Sequence, residues 1–117
     1  MIDNLGKLEV GDKTYPIVFN LNILELIQEE YGTIDDWQDL LTGADGIPNI
    51  KCLKWSFTQF INEGLDIENE TAENKRPFVT EKQVGRLLGQ IGWDKATSSL
   101  FGLVSNSTPD SEQDPND

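Results

Sequence analysis

The sequence predicts an α+β fold, mostly α-helical, in which an N-terminal two-stranded β-hairpin is followed by about five short helices and a disordered acidic C-terminal tail. Three observations carry this reading. Gly11-Asp12 separates two short strand-like segments. Four or five later stretches repeat apolar residues at helical spacing behind Asn or Thr caps. Glycines stand where most of those stretches should stop.

The strands are expected over Lys7–Val10 and Thr14–Phe19. Gly11-Asp12 suits a two-residue turn, because glycine tolerates the positive φ that such turns require. Pro16 cannot donate to a ladder and marks an edge. A lone hairpin is marginal in water, so this one must pack on helices or on a partner's sheet.

The first helix is expected to begin near Asn20 to Asn22. Asn22 and Glu25 resemble a capping box, Leu24, Ile27 and Tyr31 form the apolar stripe, and Gly32 stops it. Thr33 caps a short second helix with Asp35 and Asp36 at its positive start, Trp37, Leu40 and Leu41 on its apolar side and Gly43 at its end. Asn49 caps a third helix running to about Glu63 and stopping at Gly64, with Ile50, Leu53, Phe57, Phe60 and Ile61 as its core stripe. Leu65–Arg76 is polar and acidic and reads as a mobile loop. Thr80 and Gln83 form a capping box before Val84, Leu87, Leu88 and Ile91. Asp94 caps a fifth helix carrying Ala96, Leu100, Phe101 and Val104.

Residues 1–104 therefore read as a single domain. Residues 105–117, SNSTPDSEQDPND, hold Asp110, Glu112, Asp114 and Asp117 and no apolar residue. Such a segment cannot offset its ordering entropy and is expected to be disordered.

Composition narrows the function. The formal net charge of −12 repels nucleic-acid phosphates and anionic lipid, so neither nucleic acid nor membrane is an expected partner. No apolar run approaches the roughly 20 residues that span a bilayer. The N-terminus lacks the pattern of a signal peptide, which predicts a location in the cytoplasm. The single cysteine, Cys52, allows no intrachain disulfide and no thiolate metal cluster.

The absence of histidine removes Ser-His and Cys-His nucleophile pairs and histidine metal sites. Cys52 reads as a small core residue. Asp66 could open a calcium loop, but the sixth and twelfth positions are then Thr71 and Pro77, where an EF-hand needs glycine and glutamate. Paired carboxylates such as Glu29-Glu30 and Asp35-Asp36 read as solvated or as helix-end charges. No convergent catalytic set emerges, so no enzyme activity, metal or cofactor is expected. Gly85 and Gly89, four apart on one helix, have two readings: close helix packing, or a smooth groove for a partner helix. Trp37, Trp55 and Trp93 are readable as core or rim, and exposed aromatics also anchor contact patches.

The segments GDKTYPIVFNLNILELIQEEYGTIDDW, IKCLKWSFTQFINEGLDIENE and PFVTEKQVGRLLGQIGW resemble the tail assembly chaperones of long-tailed phages and prophages of Gram-positive bacteria. They resemble, more loosely, the tail-chaperone proteins of gene transfer agents. The resemblance covers roughly Leu8 to Val104 and rests on order and spacing. It runs from a Gly-Asp-Lys-Thr-Tyr hairpin and a helix ending Glu-Glu-Tyr-Gly to a helix opening Thr-Glu-Lys-Gln-Val-Gly-Arg-Leu.

The resemblance implies a non-enzymatic role: binding the long helical tape measure protein, keeping it soluble, and leaving as tail tube protein subunits polymerise around it. Self-association is compatible with this. It does not assign a binding surface. The residues themselves suggest a groove on the third and fourth helices, made by Trp55, Phe57, Phe60, Val84, Gly85, Leu88 and Gly89. Two other readings stay open. One is a minor structural or tail-completion protein of the virion that extends a neighbour's sheet with its hairpin. The other is an acidic DNA mimic, disfavoured because the carboxylates cluster in loops, helix starts and the tail.

Overall fold

The computed structural model describes residues 4–105. Two strands, β1 (Asn4–Val10) and β2 (Lys13–Phe19), precede five helices: α1 (Leu21–Tyr31), α2 (Ile34–Thr42), α3 (Ile50–Asn69), α4 (Glu81–Ile91) and α5 (Trp93–Ser105). The expected hairpin and five helices are all present. Residues 106–117, most of the expected tail, lie outside the described residues, and Ser105 belongs to α5.

The strands pair antiparallel from Asn4↔Phe19 to Val10↔Lys13, which leaves Gly11-Asp12 as the turn. Gly11 takes a φ of +63° and Asp12 stays negative, the sign pattern of a type II′ turn, whose hand matches strand twist. Alternation along the hairpin sends Leu8, Val10, Ile17 and Phe19 into the core.

α3 is the central element and packs most extensively against β2. It runs past Gly64 to Asn69, so the polar loop begins later than its composition suggests. The reason is tertiary. A Cβ on Gly64 would lie 2.8 Å from Cβ of Pro16, so the glycine lets α3 lie on β2 and does not stop the helix. Leu65, one residue on, is buried.

The remaining connection, residues 70–80, is not a free loop. Asn69 and Asn62, two turns apart on α3, each bond both backbone polar groups of one loop residue, Arg76 and Val79 respectively. Side-chain amides thus do the work of a strand partner for a segment with few apolar anchors of its own.

Three helix caps form as the sequence indicates: Thr33, Asn49 and the Thr80/Gln83 capping box. The first helix differs. Asn20, not Asn22, accepts from the Ile23 N–H. Both asparagine side chains instead donate to Glu63 Oε2, at 2.8 and 3.0 Å, tying the start of α1 to α3.

Candidate functional site

The core fixes which helix faces are left over for function. Phe60 stacks between Phe19 and Trp37, with ring centroids 5.8 and 6.0 Å away. Phe57, Phe60 and Val84 are all 0 % exposed. These three were expected to line a groove; they form the core, and no partner can reach them in this fold. Their spacing is the same on either reading, because a helix packed on two sides repeats apolar residues on both.

Trp55 is half-buried and meets the ring of Tyr31 edge-on at 5.1 Å. It therefore lies towards α1, away from the glycines of α4. The expected set of seven does not converge on one surface.

Gly85, Leu88 and Gly89 do come together. They line a cleft of about 320 Å³ between α3 and the α4–α5 corner, facing Ile50, Leu53 and Trp93. Its walls are almost entirely apolar, with Lys54 the one charged member among the described residues. Ile50 is 45 % exposed and Trp93 44 % exposed, a large apolar presentation for rim residues. Nothing lies within 4 Å of a Cβ built on Gly89, so this glycine makes open space and not a helix contact. At Gly85 the nearest atom is Cε of Lys54, at 3.2 Å, the far end of a flexible side chain.

Ile50 and Trp93 are the cleft residues that sequence periodicity misplaced or left undecided. Ile50 stands in the first turn of α3, where the apolar stripe continues past the edge of the core. Trp93 follows Gly92, whose φ of +87° turns the chain sharply from α4 into α5 and sets the indole at the cleft mouth.

The other polar cluster in the interior is structural. Trp37 Nε1 donates to Ser56 Oγ at 2.8 Å, and that hydroxyl donates to the Cys52 carbonyl at 2.7 Å. Cys52 is 1 % exposed. Burial pushes its thiol above the ordinary value, although hydrogen bonding with Tyr31 and Ser56 pulls the other way. A protonated, enclosed thiol is a poor nucleophile. Tyr31 is also raised, first by burial and then by its contact with Cys52.

Among the described residues, no group of three or more Asp, Glu or Cys side chains is arranged to hold a metal ion. No described helix is long and apolar enough to cross a membrane. The chain matches no protein-family model, no curated protein and no solved structure.

Proposed function

We propose that this chain is a tail assembly chaperone: it binds an amphipathic helix of a tape measure protein in the α3/α4 cleft, keeps that protein soluble in the host cytoplasm, and yields it to tail tube subunits. The observation that carries this reading is the cleft itself. An apolar trough with a glycine floor and an exposed Ile50 and Trp93 at its rim suits the helix-in-groove mode of recognition. The acidic remainder of the surface keeps a complex of many copies in solution. A single short cleft gives modest affinity, which allows release, while many copies along one rod supply avidity. The element order, hairpin through α5, is also the order on which the family resemblance rests.

The test is co-expression with the tape measure protein encoded nearby, followed by size-exclusion chromatography with light scattering. A soluble complex with several copies per tape measure chain is expected. The double variant Gly85→Leu/Gly89→Leu fills the cleft, and Lys54 can swing aside to admit the first side chain. It should fold and lose solubilising activity. A folded double variant with normal activity would overturn the cleft assignment, and an insoluble tape measure protein beside free wild-type chain would overturn the function.

A further inference from the structure

In a chain that carries 21 acidic and 9 basic residues, one cavity has three cations as its only charged lining among the described residues. It measures about 700 Å³ and opens between the hairpin tip, the loop before α4 and the outer face of α4. Lys13, Arg76 and Arg86 line it, and these include both arginines of the sequence. Tyr15, Phe78 and Leu87 supply apolar surface between them, and no Asp or Glu among the described residues lines it. Phe78 is 55 % exposed.

The cations are available. Among the described residues Lys13 and Arg86 form no ion pair. Arg76 sits with its guanidinium 5.2 Å from the centre of the Tyr15 ring and donates to the Thr14 carbonyl at 3.2 Å. Its one carboxylate partner among the described residues, Glu68, is at 3.8 Å, and both side chains are more than two-fifths exposed. Such a pair is weak and easily exchanged for a better one. The Asn69 clamp on the Arg76 backbone holds the residue at the cavity. Two unpaired cations and one weakly paired cation around an aromatic wall make a site for an acidic, partly apolar ligand.

We propose that this cavity receives the acidic segment of the same chain, residues 106–117. The segment places Asp110, Glu112 and Asp114 at alternate positions. Extended, such spacing sets three carboxylates on one side, about 6.6 Å apart, opposite three cations. Pro109 and Pro115 flank them and suit the exposed rings of Tyr15 and Phe78. The distance also closes. Leu103, near the end of α5, abuts Gly6 of β1. Gly6 to Val10, the residue paired with Lys13, is about 13 Å along the strand. The four residues from Asn106 to Pro109 reach about 13 Å when extended. This site is separate from the α3/α4 cleft, and the inference does not depend on the proposed function.

The experiment uses the full chain with a nitroxide on Ser111→Cys; Cys52, at 1 % exposure, is shielded from the reagent. In ¹⁵N–¹H spectra, amide peak intensity should be lost around Lys13–Tyr15, Arg76–Phe78 and Arg86, and spared in α1 and α2. The loss should disappear in 1 M salt, where the Debye length is about 3 Å, and in Lys13→Gln/Arg86→Gln. Uniform weak broadening, or loss centred elsewhere, would overturn the proposal. So would loss that appears only in a mixture of unlabelled-spin ¹⁵N chains with spin-labelled ¹⁴N chains, which would assign the cavity to a second copy's segment. Loss at the cavity that is unchanged by salt and by the double variant would overturn its electrostatic basis.

Discussion

Asn62 holds Val79 by both backbone groups: its Nδ2 donates to the Val79 carbonyl at 3.0 Å, and the Val79 N–H donates to its Oδ1 at 2.8 Å. Seventeen residues separate them, yet the geometry is that of a one-residue ladder. Asn62→Ala removes both bonds, and at a net worth of about 0.5–1.5 kcal/mol each should cost about 1–3 kcal/mol in urea unfolding. Asn62→Asp keeps the acceptor and should fall between. Hydrogen exchange at the Val79 amide should accelerate in Asn62→Ala and much less in Asn62→Asp.

The glycines of α3 and α4 should respond with opposite signs. Gly64→Ala drives a methyl into Pro16, whose Cβ, Cγ and carbonyl carbon would all lie within 3.1 Å, and should cost about 1–3 kcal/mol by overpacking. Gly89→Ala meets nothing within 4 Å in a helical setting and should gain about 0.5–1 kcal/mol. Thermal melts of the two variants beside wild type decide this. Equal destabilisation by both would mean that Gly89 is packed.

These two glycines also mark where the sequence was legible. Caps at Thr33, Asn49 and Thr80, and the Gly11 turn, were readable because each acts within a few residues of itself. Gly64 was read as a stop because its reason, Pro16, is distant in sequence. Asn69 and Asn62 carry no local signal for the same reason. In the cleft, the Gly85/Gly89 pair was visible, but Phe57, Phe60 and Val84 were drawn into it because spacing alone does not say which flank of a doubly packed helix meets solvent. The cations at positions 13, 76 and 86 are too scattered to suggest a cavity until the fold gathers them.

Among the described residues Ser56 is the sole acceptor for the Trp37 indole, and both residues are 0 % exposed. Ser56→Ala leaves that N–H buried without a partner and should cost about 1–3 kcal/mol. Trp37→Phe in the Ser56→Ala background should cost less than the two single losses added together, because the stranded donor is gone. A double-mutant cycle in urea measures the difference; strict additivity would remove the hydrogen bond from the energetics.

Alkaline pH should loosen the fold through Cys52 and Tyr31. Both are raised in the folded state, so each ionises first in the unfolded chain. Their contribution is fully present below the ordinary thiol value of 9.0 and is lost as pH climbs beyond it, with Tyr31 joining above its ordinary value of 10.0. The thiol alone gives a slope of at most about 1.4 kcal/mol per pH unit. Urea midpoints of wild type and of Cys52→Ala/Tyr31→Phe between pH 8 and about 11 test this. The variant should show the shallower decline, and parallel curves would rule the pair out as its source.

The seating of α3 on β2 has a consequence for biosynthesis. A two-stranded hairpin is marginal alone, and here its inner face is closed by Phe60 and its neighbours. Phe19 leaves the ribosome well before Phe60, by about 2–8 s at a translation rate of about 5–20 residues per second. During that interval the nascent chain shows an uncovered strand edge and a row of apolar side chains. The molecule must therefore wait for its middle to be synthesised before its beginning can settle, and slowing translation between the hairpin and α3 should raise the aggregated fraction.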